Sequence, residues 1–354
     1  MTSKERIRAA IMRQQPDRVP STMQCVETAW EKLMKHFGVS TPDEVQDILD
    51  IDTRIMDLPP YIGPEHPPFM NADGEMEYTH PYGNYRYINK WNGVEYNWHM
   101  VYYPMEHIET WEDFEKFDGW TNPDHFDYNA VKEFCDKHPD RAIRIGWPGP
   151  YQVFTMLYPA EKFYIMMMEE PELVKAMLNK YCDISLEIYE RMFQASGDRI
   201  DILRCCDDYG TQRGLLFGPD MWDEFFAENT KRFVALAHKH NCFYLQHSCG
   251  AIRGIIPNMI RCGVDLIEPI QKVVGMEVDG LKADFGDKLC FQGGVDTQGV
   301  LPFGTPEEVK AETERIIRAL GKGGGYILAP SQDFEGDVPV ENILALYEAR
   351  KSFQ

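Results

Sequence analysis

The 354-residue sequence predicts an α/β fold, a single (β/α)8 TIM barrel over residues 1–354 with an aromatic-rich β-hairpin excursion at residues 59–103. From about residue 140, short apolar runs rich in Ile, Val, Leu and aromatics alternate with longer stretches of helical period, the pattern of repeated β-α units. Two earlier apolar runs raise the strand number to eight, enough to close a barrel. Ahead of this region, Gly74, Gly83 and Gly93 punctuate alternating aromatic and polar residues, the signature of hairpins.

In chain order, strands are predicted at 19–24, 53–58, 142–147, 200–206, 242–247, 265–268, 289–292 and 326–329. Each is short and largely apolar, as a parallel strand covered on both faces should be. Helices are predicted at 171–195, 219–240 and 305–320, where apolar residues recur at three- and four-residue spacing. Pro171, Pro219 and Pro306 sit in their first turns, where a missing amide proton costs nothing. No Ser/Gly linker, charge block or internal repeat sets 59–103 apart, so it is read as an excursion within one domain that roofs a pocket or covers the barrel mouth.

Composition narrows the function classes. A hydrophobic fraction of 44% is enough to bury a large core. No apolar run approaches the roughly 20 residues that cross a bilayer, and the first residues lack a signal-peptide core, so a cytoplasmic protein is expected. Nine irregularly spaced cysteines, two of them adjacent at Cys205 and Cys206, describe no disulfide framework, and reduced thiols are expected. A net charge of −21 disfavours nucleic acid and anionic membrane, which carry the same sign. A neutral small molecule or a protein partner fits better.

In a parallel barrel the loops after the strands converge at one end, so reactive side chains just beyond each strand are the candidates. The strand at 242–247 runs into His247, Ser248, Cys249 and Gly250, placing an imidazole and a thiol two residues apart. Glu268 ends the next strand. Together His247, Cys249 and Glu268 make a zinc set with a fourth position open, the arrangement of catalytic zinc. Spacing equally admits a hydrogen-bonded imidazole, a buried thiol and a carboxylate paired with a base. Cys262 and Cys290 read as core residues.

Asp207 and Asp208 follow the strand at 200–206 and are the catalytic candidates, able to move a proton or to hold a ligand imidazole in its tautomer. The other use of such a carboxylate is to cap the following turn. Substrate-binding candidates are Met23, Trp147 and Tyr151, as soft and aromatic walls for a flat molecule, with Gln271, Gln332 and Asp333 beyond later strands. Ordinary core packing is the alternative for the Met and aromatic residues.

Several runs carry a family resemblance: Pro16-Asp17-Arg18-Val19-Pro20, Gln246-His247-Ser248-Cys249-Gly250, Gly293-Gly294-Val295-Asp296-Thr297-Gln298, Gly323 through Pro330, and Asp337-Val338-Pro339 through Asn342. They resemble the uroporphyrinogen-decarboxylase superfamily from end to end of the chain, least over 59–103. That resemblance implies a (β/α)8 barrel and one of three activities: uroporphyrinogen decarboxylation, methyl transfer between methylcobalamin and coenzyme M, or the methyltransferase step of corrinoid-dependent O-demethylation of aryl methyl ethers. The decarboxylases carry an arginine-rich segment after the first strand, whereas Ser21-Thr22-Met23-Gln24-Cys25 holds no arginine. In the coenzyme M branch zinc is held by a His-x-Cys pair, an acidic residue after the next strand and a cysteine after the last. His247, Cys249 and Glu268 match that pattern, but Ser331 and Gln332 stand where the final cysteine is expected.

The resemblance therefore implies a methyltransferase that moves a methyl group from a small donor, an aryl methyl ether, to the cobalt of a corrinoid (cobalamin) on a partner protein. Zinc assists, with Asp207 or Asp208 serving the leaving oxygen. One alternative is a decarboxylase of a small carboxylic acid, for which Arg144, Arg204 and Arg213 are the nearby basic residues. Another is a metal or corrinoid binder without catalysis. The resemblance also implies a homodimer.

Overall fold

The computed structural model describes residues 1–81, 83–91 and 96–353, so Gly93 lies outside the described residues. Its strands are β1 (Thr53–Met56), β2 (Phe69–Met70), β3 (Met76–Thr79), β4 (Arg86–Trp91), β5 (Tyr96–Tyr102), β6 (Ala142–Ile145), β7 (Ile200–Cys206), β8 (Phe243–His247), β9 (Leu266–Ile270), β10 (Cys290–Gly293) and β11 (Tyr326–Ile327). β1 and β6 to β11 form a parallel sheet in sequence order, each joined to the next by a helical crossover. β2 to β5 form a separate four-stranded antiparallel sheet within 59–103.

Seven of the eight predicted barrel strands are thus strands, with ends displaced by no more than two residues. The run at 19–24 is different. It touches the β11 edge of the parallel sheet through an isolated bridge, Ser21 with Leu328, with Thr22 N–H to Leu328 O at 3.1 Å, and reaches the β1 edge only through one hydrogen bond, Asp52 N–H to Ser21 O at 3.0 Å. Pro20 has no N–H to give to a ladder, which interrupts the pairing.

The sheet is curled around an apolar plug. Ala142, Ile202, Leu245, Leu266, Cys290 and Ile327, one from each of β6 to β11, pack together against Ile7, Ala10 and Ile11 of the helix Ser3–Ile11. That helix starts with a capping box, Thr2 accepting from Glu5 N–H while Glu5 reaches back, so its apolar face is delivered at a fixed angle. The N-terminal end of the sheet is closed by this layer, and the chemistry is left to the opposite end.

The outer layer is helical. Pro171–Ser196 starts with Pro at its first turn and ends at Gly197, whose φ of 62° is the left-handed conformation glycine adopts at no steric cost. The predicted helix at 219–240 contains a π turn over Asp223–Ala227, between Pro219–Trp222 and Glu228–Lys239. Pro306–Leu320 carries a Thr305/Glu308 capping box. The antiparallel sheet reaches the other layers through His80, whose ring stacks on Trp147 at 5.5 Å and 11°. Among the described residues, no helix is long and apolar enough to cross a membrane.

One buried ion cluster ties the 19–24 run to β1. Asp52, fully buried, accepts from Arg6 Nη1 at 2.7 Å, Arg18 Nη1 at 2.7 Å and Ser21 N–H at 2.9 Å. Asp52→Ala removes the carboxylate the two guanidinium groups share, leaving Arg6 on Asp17, Arg18 on Asp50 and the Ser21 N–H without its acceptor, and a loss of about 1–3 kcal/mol is expected. Urea unfolding followed by circular dichroism measures it; a midpoint unchanged from wild type would show that the cluster does not hold these edges together.

Candidate functional site

Side chains on a strand alternate between its two faces, so the residues two beyond the apolar plug form the next layer on the same side. Counting from the plug gives Arg144 on β6, Arg204 on β7, His247 on β8, Glu268 on β9 and Gln292 on β10. All five are buried or nearly so, and they bind one another. Glu268 is their common partner: Oε1 accepts from Arg204 Nε at 2.5 Å and lies 3.3 Å from His247 Nδ1, Arg144 Nη1 is 3.9 Å away, and Oε2 accepts from the Gln292 amide. Burial pushes the Glu268 carboxyl up, but Arg204, His247 and Arg144 outweigh it and hold the group well below the usual carboxylate range.

His247 has two distinct sides. Nδ1 lies between two partners, Arg204 Nη2 at 2.8 Å and Glu268 Oε1 at 3.3 Å, and its tautomer decides which it pairs with: it accepts from the guanidinium when bare and donates to the carboxylate when protonated. Nε2 faces Asp208 Oδ1 at 3.4 Å and Cys249 Sγ at 3.6 Å. Burial works against a charge on the ring and Arg204 adds to that, yet Cys206 and Asp208 raise its basicity well above that of an ordinary histidine. The structure therefore brings the predicted His247, Cys249 and Glu268 around one ring, with Glu268 on Nδ1 and Cys249 on Nε2.

Cys206 joins them from β7, where it pairs in register with His247, which in turn pairs with Glu268 on β9. Ligand atoms of Cys206, Asp208 and His247 all lie within 4.8 Å of one another. An imidazole, a thiol and a carboxylate in that compass suit a zinc ion, and an ion held at Nε2 would replace the proton there. Sequence spacing singled out the thiol in the loop and passed over Cys206. The signal was register: Cys206 ends β7 as His247 ends β8.

Gly250 explains how the loop after β8 is held. Its φ is 86°, and a Cβ there would meet the Gly210 carbonyl carbon at 2.4 Å, so only glycine lets this loop lie against the one after β7. Gly250 N–H donates to Gln271 Oε1 at 2.7 Å, and Cys249 N–H donates to Asp208 Oδ1 at 2.9 Å. Gln271 is thus spent on the loop rather than turned to the cleft.

The two predicted catalytic aspartates part company. Asp207 is buried, accepting from Gln152 N–H at 2.8 Å and from the Tyr209 hydroxyl at 2.8 Å, which makes it a cap on the helix Pro150–Leu157. Asp208, with 41% of its side chain exposed, is the one that faces His247. Burial pushes the Asp208 carboxyl up, but His247 and the Cys249 amide bring it below its ordinary value.

A small polar cleft of about 20 Å3 opens over the Arg204–Glu268 layer, lined among others by Thr22, Gln24, Gln292, Gln332 and Asp333. Gln332 Nε2 donates to Cys249 Sγ at 3.2 Å, and Asp333 enters the cleft beside it. Met23 is absent from the lining of this cleft and is buried at a different cavity with Trp30 and Phe134, which Gln24 also borders. Tyr151 is also buried, against Tyr209, Phe217 and Phe226, its hydroxyl 2.6 Å from that of Tyr164. Trp147 is half-buried under His80, outside the lining of the polar cleft.

The fold and site define a curled parallel α/β protein whose polar cleft lies at the C-terminal ends of its strands, with the Cys249 thiol beside its Gln332 wall. Residues 94–353 match the model of the uroporphyrinogen decarboxylase (URO-D) family, and the chain belongs to that family. It is similar to a methylcobamide:CoM methyltransferase, MtaA, of Methanosarcina barkeri, 25% identical over 225 residues that cover 63% of this chain and 62% of the relative. It is also similar to a uroporphyrinogen decarboxylase of Chlorobaculum tepidum, 24% identical over 249 residues, covering 62% of this chain and 61% of the relative. The chain thus spans about three-fifths of the length of these curated relatives. A solved methyltransferase from Methanosarcina mazei shares the fold over 99% of both chains, with a TM-score of 0.68 and 20% identity.

Burial pushes the Asp207 carboxyl up to about 7, against the hydrogen bonds from Gln152 and Tyr209. Its folded-state value lies above its unfolded one, so the folded protein holds the proton over the interval between them and loses stability as pH rises through it. Asp207→Asn keeps the shape without the ionisation. Urea midpoints at pH 5 and pH 8 are expected to fall less in the variant than in wild type; parallel falls would show that another group sets the profile.

Proposed function

We propose that the protein transfers a methyl group from a small methyl donor, an aryl methyl ether, to the cobalt of a corrinoid carried by a separate protein docked at the strand C-termini. The observation that carries this reading is the convergence of Cys206, Asp208 and His247, with Cys249 beside them, at the edge of a polar cleft. In it His247, Cys206 and Asp208 hold zinc, with Cys249 available as a further thiol, and the ion supplies Lewis acidity toward an oxygen or thiol. Glu268, which the sequence pattern groups with the ligands, serves here by fixing the imidazole from its Nδ1 side, since its own oxygens are engaged by Arg204 and Gln292.

The reading takes residues 1–354 as one (β/α)8 domain closed through the 19–24 run, with 59–103 as its excursion, supported by the Ser21–Leu328 bridge and by the hydrogen bonds Thr22 N–H to Leu328 O and Asp52 N–H to Ser21 O. A cytoplasmic setting is in keeping with nine cysteines that are all unpaired. A small-acid decarboxylase is the second reading, favoured by Arg204 in the cleft wall. It is the weaker one because Arg204 is bound to Glu268 and Arg144 to Gln24 and Asp57.

Elemental analysis of protein purified without added metal is expected to find near-stoichiometric zinc, lost in His247→Ala and Cys206→Ala. Glu268→Gln is expected to retain the ion about 10–100-fold more weakly. With a reduced corrinoid protein as acceptor, a panel of methoxyarenes is expected to be demethylated; release of carbon dioxide from small acids with no demethylation would move the assignment to the second reading.

A further inference from the structure

We propose that the aromatic and methionine-rich face of the antiparallel sheet β2 to β5 is the docking surface for the protein that carries the corrinoid, and that this partner presents an apolar patch inside a basic rim. The inference rests on the methyl-transfer reading and names the surface through which the methyl acceptor reaches the cleft.

Residues paired in register project from the same side of a sheet. The pairs Met70 with Met76, Tyr78 with Tyr87, Tyr87 with Met100 and Asn89 with Trp98 therefore put one uncharged set on one face. The ion pair of this sheet, Arg86 with Glu77, comes from the alternate positions. A sheet face turned to water usually carries the polar residues. Here Met70, Met76 and Trp98 are exposed instead.

The rings of this face form a continuous row. Tyr78 stacks on Tyr87 at 5.6 Å, Tyr87 stacks on Trp98 at 4.5 Å, and Trp98 lies 5.9 Å from His80, which in turn stacks on Trp147. Rings already held by one another lose little side-chain freedom when a partner covers them. At the inner end of the row, Trp147 is followed by Pro148, which bridges to Cys206, and Gly149 N–H donates to Cys206 O at 2.8 Å. The face thus runs from exposed surface to the strand end that bears a proposed zinc ligand. A protein seated on it has its edge at the cleft.

Aromatic residues and methionine are the ones that protein interfaces concentrate, and charge selects the occupant. Between residues 55 and 85 the sequence holds five acidic residues, Asp57, Glu65, Asp73, Glu75 and Glu77, and no lysine or arginine. Asp73 and Glu75 lie in the connection between β2 and β3, beside Met70 and Met76. A second copy would bring the same acidic edge, in a chain of net charge −21, and would be repelled. A partner with Lys and Arg around its apolar patch is attracted by that edge and held in one orientation by it.

The test measures methyl transfer from a methoxyarene to two acceptors, free cob(I)alamin and the reduced corrinoid protein. Trp98→Ser and Met76→Glu are each expected to raise the KM for the corrinoid protein about 10–100-fold, the loss of an interface anchor. The rate at saturation and transfer to free cob(I)alamin are expected to stay at wild-type values. Phe303→Ser, which removes an exposed ring in the segment after β10, is expected to change neither. In wild type the KM for the corrinoid protein is expected to rise with salt, and Asp73→Lys to raise it further and weaken that dependence. An unchanged KM in both Trp98→Ser and Met76→Glu, equal losses with the two acceptors, or a wild-type dimer that Met76→Glu dissociates in sedimentation overturns the docking face and leaves methyl transfer in place. Wild-type protein that passes methyl to neither acceptor overturns the methyl-transfer reading, and the docking face falls with it.

Discussion

The Glu268 carboxylate is the interaction on which the rest of the site depends. It receives Arg204 and Gln292, stands beside His247 Nδ1 and has Arg144 within 4 Å, so four strands converge on one group. Removing a charge from water is expensive, and a carboxylate this deep persists only if its partners surround it. The partners are equally dependent: Arg204 without Glu268 is a buried cation whose nearest neighbour is an imidazole. The orientation of His247, and with it what Nε2 can do, is fixed by this cluster.

A period of two along the strands explains why such a cluster can sit inside the sheet. The interior of β6 to β11 begins as an apolar layer pressed against the N-terminal helix, and two residues later becomes a layer of Arg, Arg, His, Glu and Gln. The first layer gives the sheet its hydrophobic reason to curl. The second then has no apolar option, because it opens on a cleft, and it is stable only as a closed set of hydrogen bonds. The following layer, with Cys206 and the loop after β8, inherits its geometry from that set.

Much of this was legible in the sequence. Runs of apolar residues separated by helical stretches gave seven strands to within two residues, and His247, Cys249 and Glu268 were identified because they end or follow strands. What sequence could not supply was which side of a segment each residue occupies and which neighbouring strand lies alongside. Met23 is expected as a wall of the cleft, yet Thr22 and Gln24 line it and Met23 lines a different cavity. Cys206 was passed over because its value lies in its register with His247. Asp207 and Asp208 are adjacent in sequence, but one caps a helix that begins more than fifty residues earlier, a relation created by the sheet order. Trp147 is covered by His80, which arrives from the aromatic segment without any pattern to announce it.

Charge balance within the cleft bears on what it accepts. Two guanidinium groups, Arg144 and Arg204, are matched by Glu268 and by Asp57, 3.3 Å from Arg144 Nη2, before any ligand enters. An anionic substrate would have to compete for those cations with carboxylates already bonded to them, in a protein of net charge −21. In a medium of intermediate dielectric, two like charges about 4 Å apart repel by roughly 4 kcal/mol, which offsets most of what a single exposed guanidinium edge could return. An uncharged molecule meets no such opposition. It finds amide side chains from Gln24, Gln292 and Gln332, a hydroxyl from Thr22 and the carboxyl of Asp333.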